Sequence, residues 1–326
     1  MNATVLPMPQ PSQAMPPDEL RNRVKAAIAA GMKQAQVAKE ADLTAPVLSQ
    51  WLQGKYPGDN QTVEVKLSRW LATRGQAEEV RQVLPELPDF VETPTARRIL
   101  GALIYAQTAE DIAVIYGGAG LGKTSTIRHY RETNSSVWVV TATPASAQVG
   151  PLLDRIATML GITEGRRDPA TLEIEIIKKL TGSRGLLVID EAQHLTNKAL
   201  ETVRSIHDAT AVGLVLSGNA QVYAQLHGGS RADNFAQLFS RIGKQVRLVR
   251  AQDGDVAAIA REMRVHGAEE IALLKEIATK PGGLRQMVKV LRQACMYAAG
   301  RVPPVDATAD DIRAAYAELS GERTDA

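Results

Sequence analysis

Gly117, Gly118, Ala119, Gly120, Leu121, Gly122, Lys123 and Thr124 spell, without interruption, the pattern G-x-x-x-x-G-K-[ST]. In that order the glycines let successive backbone N–H groups turn toward a phosphate chain, the lysine supplies a cation for its outer oxygens, and the threonine hydroxyl is placed for Mg²⁺. The expected occupant is a nucleoside triphosphate, held by these residues together with Ser125. A second apolar run, Leu186 to Ile189, ends in Asp190 and Glu191. Asp190 is the expected Mg²⁺ partner, through water, and Glu191 the candidate base that orients and polarises an attacking water. An acidic pair after a core strand is by itself an ordinary surface feature; its place about sixty residues beyond a phosphate loop favours the catalytic reading.

Three further side chains have chemistry to offer. The apolar run Gly213 to Leu216 ends in Ser217, Gly218 and Asn219. If this strand lies beside the phosphate-loop strand, Asn219 can hydrogen-bond the attacking water or the γ-phosphate; the alternative is an Asn cap on the next helix. Arg241, in Leu238-Phe239-Ser240-Arg241-Ile242, precedes the last strand, where it could reach the nucleotide of a neighbouring subunit. Arg285 follows Pro281-Gly282-Gly283-Leu284, starts a helix, and could touch the γ-phosphate of its own chain. Either arginine would neutralise charge developing in phosphoryl transfer, or else form a surface ion pair.

These groups need elements to hold them. Ile112 to Tyr116 leads into the phosphate loop as a strand. Strands are expected near 112–116, 137–143, 186–190, 213–217 and 245–249, alternating with helices from Phe90 onward, the signature of a parallel sheet covered on both faces. Beyond the last strand only helical patterns follow, near 253–263, 268–279, 283–299 and 308–319. The fold class is therefore α/β with an all-helical C-terminal subdomain.

The 326 residues suffice for about two domains, and 44% apolar content excludes a disordered chain. A net charge of +2 means that any nucleic-acid binding must come from a local basic surface. The lone Cys295, among Val290, Leu291 and Ala294, is expected to be a packed thiol in a reducing compartment. Residues 1–17, rich in Pro and Gln, read as a disordered tail without the marks of a signal peptide, and no run is long enough to span a bilayer. A cytoplasmic protein is expected.

Residues 18–72 carry a different pattern. Leu20, Val24 and Ile28 make one helical stripe, Gln34 to Ala41 a second short helix, and Asp42-Leu43-Thr44 a break. Thr44 is expected to cap a third helix with Pro46 in its first turn, and Val47, Leu48, Trp51 and Leu52 inward. This is a helix–turn–helix pattern, whose outward Ser49, Gln50 and Gln53, with Lys55 beyond, suit a DNA groove; three short helices can also pack with no DNA role. A fourth helix follows with Val63, Leu67, Trp70 and Leu71 as its stripe, the tryptophans reading as core. Residues 73–89 read as linker, 90–250 as the ATPase core and 251–326 as a helical lid.

The order of phosphate loop, acidic strand, Asn-terminated strand, arginine before the last strand and Gly-Leu-Arg in a helical lid resembles the AAA+ ATPases. Within them the chain is similar to the MuB family, the target-selecting transposition ATPases of Mu-like phages. Its characteristic stretches are Phe90-Val91-Glu92-Thr93, Asn134-Ser135-Ser136-Val137-Trp138, Gly213-Leu214-Val215-Leu216 with Gly218-Asn219, and Leu238 to Ile242. The resemblance implies a phage- or prophage-encoded protein of the bacterial cytoplasm that uses ATP and Mg²⁺. It also implies a helical filament of like subunits on double-stranded DNA, with little sequence preference, that delivers the DNA to a transposase and stimulates strand transfer. The transposase would promote hydrolysis and clear the filament, which underlies target immunity. Asn219 would then be a first sensor, Arg241 a finger and Arg285 a second sensor. The proline-rich tail departs from this pattern, and Gln193-His194 is also similar to the TniB- and TnsC-type transposon ATPases.

In such a filament the DNA would meet basic side chains of the ATPase domain through phosphates. Candidates are Arg166, Arg167, Lys178, Lys179, Lys198 and Arg204, although for any one of them a solvated surface charge is the commoner role. Two other readings stay open: a regulator whose helix–turn–helix binds one operator under nucleotide control, and a secretion-type AAA+ ATPase. The helix–turn–helix pattern and the lack of an apolar span speak against the second.

Overall fold

The computed structural model describes residues 15–83, 89–163, 165, 167–222, 242–301 and 305–321, and the chain divides into two compact units at Pro85/Glu86. In the first unit, α1 (Pro17–Ala29) starts on a proline with Asp18 and Glu19 in its first turn, where acids favour the positive helix end. Then come α2 (Gln34–Glu40), α3 (Ala45–Leu52) and α4 (Asn60–Val83). Leu20, Leu48, Trp51 and Leu67 are fully buried, and Val24, Val63 and Trp70 complete the core, so both tryptophans of this unit pack inward as expected. The Arg21 guanidinium lies 5.0 Å above the Trp51 ring, and the Trp70 indole N–H donates to Glu40 at 2.9 Å.

Two local expectations for this unit need correction. Thr44 stands at the N-cap of α3 in extended backbone, yet its side chain makes no capping bond. Pro46, at the second helical position, lacks the N–H that a cap would accept, which leaves the Val47 N–H as the remaining target. The stretch from Thr73 to Val83 is not linker but the continuation of α4. Apart from Gly75 it is made of residues a helix tolerates, and the first proline stands only at 85.

The second unit is built on a five-stranded sheet of order β2-β3-β4-β1-β5, all neighbours parallel. Its elements are α5 (Pro94–Ala109), β1 (Ile112–Gly117), α6 (Lys123–Thr133), β2 (Val137–Thr141), α7 (Val149–Met159), α8 (Pro169–Leu180), β3 (Leu186–Asp190), α9 (Asn197–Thr210), β4 (Gly213–Gly218) and β5 (Ile242–Leu248). Every residue of β1, β3 and β4 is buried, because helices cover both faces. Ile112, Val114 and Tyr116 pack with α7, α8 and α9 on one side, whereas Ala113 and Ile115 pack with α5 and α6 on the other.

The edge strands are where the expected bounds slipped. The second strand stops at Thr141, because Thr143 opens a 3-10 turn over Pro144–Ser146 with reciprocal capping bonds. The last strand begins at Ile242, earlier than its apolar run, since its first residues alternate between half-buried and exposed. Lys244 there donates to the Gly101 carbonyl at 2.8 Å, a cationic start that an edge strand accommodates.

Four helices close the unit: α10 (Asp253–Glu262), α11 (Ala268–Thr279), α12 (Gly283–Ala299) and α13 (Ala309–Ser320). They share a core of their own that includes Met287, Val290, Leu291 and Ile312. Buried Asp255 joins this bundle to the sheet domain, accepting from the Thr95 N–H at 2.8 Å and hydroxyl at 2.6 Å while also capping α10. Cys295 is a packed thiol whose pKa burial pushes up to about 11. Among the described residues no helix is long and apolar enough to cross a membrane.

Candidate nucleotide site

The parallel sheet brings the C-terminal ends of β1, β3 and β4 together, and the chemistry collects there. Beyond β1 the loop reaches α6 through Gly120 and Gly122, at φ 76° and 85°, left-handed conformations that glycine adopts without strain. Gly122 is the N-cap of α6, so the loop ends on a helix N-terminus with N–H groups free to receive phosphate oxygens. The Lys123 ammonium donates to the Gly117 and Gly118 carbonyls at 2.9 and 2.7 Å, which lays the side chain back along the loop. Burial pushes its pKa down, Glu191 and Asp190 oppose that shift, and the Arg285 charge adds to it.

Asp190 is 1% exposed and fully engaged. Its Oδ2 accepts from the Thr124 hydroxyl at 2.8 Å, and its Oδ1 accepts from the Ser217 hydroxyl at 2.8 Å and the Glu191 N–H at 3.0 Å. The β3–β4 register, which pairs Ile189 with Leu216, sets Asp190 beside Ser217. Thr124 and Asp190 are thus adjacent hard oxygen donors, a pair that could hold Mg²⁺, Asp190 through water, beside bound phosphates. Among the described residues no group of three or more His, Cys, Asp or Glu is placed to hold a metal ion.

Glu191 follows in a left-handed conformation, φ 55°, a strained setting for a non-glycine residue. Its Oε2 accepts from Gln193 Nε2 at 2.5 Å. Asn219 sits just beyond β4, where its Oδ1 accepts from the Gln221 N–H at 2.8 Å and its own N–H donates to Gln193 Oε1 at 3.2 Å. Its side chain therefore makes a local cap of the kind weighed above, while its position borders the site. Gln193 is a polar link that sequence reasoning assigned no role; its place two residues after Glu191 is the only sequence signal for it.

The helical bundle touches the loop directly. The Arg285 N–H donates to the Gly120 carbonyl at 3.2 Å, and a Cβ on Gly120 would stand 1.9 Å from the Gly282 carbonyl oxygen. The Arg285 side chain is exposed and makes no ion pair among the described residues. Arg241 lies outside the described residues.

The basic candidates divide. Arg166 lies outside the described residues. Arg167 pairs with Asp154 at 2.5 Å, Lys178 with Glu175 at 2.7 Å, and Arg204 with both Glu201 and Asp208. Arg204, with a side chain only 14% exposed, is held by the Glu201 hydrogen bond above its usual pKa and is a structural cation. Lys179 and Lys198 are exposed and unpaired among the described residues. In the first unit Gln50, Gln53 and Lys55 are exposed and Ser49 is half-buried. The sequence reading missed Arg128, Arg131 and Arg155, which with Thr124 and Asp190 line a cavity of about 550 Å³. Arg128 and Arg131 are one helical turn apart on α6, a readable signal; Arg155 arrives from α7, which spacing could not foretell.

Residues 106–226 match the family described as AAA domain, and residues 240–319 match Mu B transposition protein, C terminal. The chain is 40% identical over 284 residues to the ATP-dependent target DNA activator B of Escherichia phage Mu, covering 87% of this chain and 89% of that one. It is 36% identical over 275 residues to the Mu-like prophage FluMu DNA transposition protein B of Haemophilus influenzae, covering 84% and 94%. Among solved structures, the ORC2 protein of Aeropyrum pernix aligns at a TM-score of 0.52 and 17% identity over 70% of this chain and 66% of that one, a likeness of fold.

Proposed function

The chain belongs to the Mu B family of transposition proteins, and from that premise we infer that it is an ATPase that activates target DNA for a transposase. The observation that carries the reading is the Thr124–Asp190 pair under an intact phosphate loop. Lys123 and the loop N–H groups take the phosphate oxygens, and Thr124 and Asp190 hold Mg²⁺, which when bound offsets phosphate charge. Glu191 accepts a proton from the water that attacks the γ-phosphorus, and the bond to the bridging oxygen breaks to release ADP and phosphate. Asn219 and Arg285 report the γ-phosphate to β4 and to the helical bundle.

Bound ATP favours assembly of like subunits along double-stranded DNA as a helical filament. Arg241 of one subunit completes the site of the next, so hydrolysis loosens the assembly. The nucleotide acts as a timer, and a transposase that speeds hydrolysis clears the DNA it has engaged. Phosphate contacts fall to exposed cations that form no ion pair among the described residues: Lys179, Lys198 and the Arg128, Arg131 and Arg155 cluster. The first unit contributes as a helix–turn–helix, with Gln50 on α3, Gln53 at its C-cap and Lys55 just beyond it offered to DNA.

Titration of random-sequence duplex DNA with and without ATP, over a range of salt, tests this. Tight binding that requires ATP, ignores sequence and weakens steeply with salt is the expected result. ATP-independent binding to one sequence would replace it with the operator-reading regulator.

A further inference from the structure

We propose that Gln193 is a positioning residue that aims the Glu191 carboxylate and ties it to the end of β4. The proposal rests on Glu191 being the base. A carboxamide has one donor end and one acceptor end, and here both are used: Nε2 donates to Glu191 Oε2 at 2.5 Å, and Oε1 accepts from the Asn219 N–H at 3.2 Å. The two partners fix the amide's orientation, since reversing it would set its oxygen against a carboxylate and its NH₂ against a donor.

The local backbone builds the seat for this link. Glu191 turns left-handed and a 3-10 turn over Ala192–His194 follows, closed by the His194 N–H donating to the Glu191 carbonyl at 3.1 Å. Across from it, a Cβ on Gly218 would stand 2.3 Å from Gln193 Oε1, so the amide lies in space that the absence of a side chain leaves open. The donor on Glu191 immobilises one carboxylate oxygen. The acceptor on Asn219 makes any shift at the end of β4 pull on the same amide. Base and β4 terminus therefore move as one unit, and the aim of Glu191 depends on a residue that never meets the substrate.

The experiment compares Gln193→Ala, Gln193→Glu and Glu191→Gln in the full chain, measuring ATP affinity with a fluorescent ATP analogue and DNA-stimulated turnover. Gln193→Ala is expected to lower kcat about tenfold with KM within about twofold, the pattern of lost aim rather than lost binding. Gln193→Glu keeps size and the acceptor but replaces the donor with a second carboxylate facing Glu191, so kcat is expected to fall at least as far as in Gln193→Ala, with KM again within about twofold. Glu191→Gln removes turnover, and adding Gln193→Ala to it costs nothing further. Wild-type kcat in both Gln193 variants, with turnover lost in Glu191→Gln, overturns the role of Gln193 alone. Turnover retained in Glu191→Gln overturns the base assignment and the positioning role with it.

Discussion

At the end of β3 each polar group is held by another, whereas along α3 the polar groups face water. Asp190 takes three donors within 3.0 Å and Glu191 is held by Gln193. Gln50, Gln53 and Lys55 on the first unit are exposed. The contrast follows from what each region must recognise. Phosphoryl transfer depends on sub-ångström placement of a few atoms, so its groups are arranged in advance and the folded chain carries the cost of ordering them. A duplex presents the same phosphate charge at every step, and exposed side chains can find it without a fixed geometry.

If that contrast is real, the two units should fail separately. Trp51 is fully buried at the centre of the first unit, which is small enough to have little stability in reserve. Trp51→Ala is expected to remove about 3–5 kcal/mol and unfold this unit, while ATP affinity stays within about twofold of the parent. Thermal melts followed by circular dichroism, beside nucleotide titration, read both quantities. Loss of ATP binding in step with the melt would show that the helical unit supports the nucleotide site and would break the comparison.

The next largest effect should come from the site itself. Lys123 is bound to two loop carbonyls, so it could be a strut for the loop or a ligand for phosphate. Lys123→Ala is expected to weaken ATP binding about 100-fold, from the loss of charge-assisted bonds of about 1.5–3 kcal/mol. A lowered melting temperature with unchanged ATP affinity would assign the lysine to the strut and leave the phosphates to the backbone.

The same contrast explains what the sequence made legible. Gly120, Gly122, Lys123, Thr124 and Asp190 could be named in advance because few residue types satisfy left-handed turns, a phosphate cation and a buried metal carboxylate. The strands β1, β3 and β4 were readable because burial on both faces demands unbroken apolar runs. The polar start of β5 was missed because an edge strand need not be apolar, and the helical course of Thr73–Val83 because a charged helix and a charged linker share a composition. Arg204 stands among the DNA candidates although Glu201 and Asp208, on its own helix, engage it; spacing places the three on one face but does not say how they divide their charge. Gln193 carried no catalytic signal, only the likeness of Gln193-His194 to the TniB- and TnsC-type ATPases. Its importance lies in two bonds that exist only once β3 and β4 lie side by side.

The smallest expected effect tests the exposed side of the comparison most sharply. Gln50→Ala with Lys55→Ala removes two exposed polar side chains, of which only Lys55 carries charge. If the first unit meets DNA through phosphates, affinity for random duplexes in the presence of ATP falls a few-fold, equally on every sequence, and the salt slope decreases by about one. If α3 instead reads base edges, the loss is confined to one preferred sequence, with each lost pairing there worth about 1–3 kcal/mol. Competition between random duplexes and a sequence enriched by repeated selection separates the two outcomes. A sequence-confined loss would mean that α3, for all its exposure, recognises geometry as selective as that of the nucleotide site, and that exposure alone does not mark a region as tolerant.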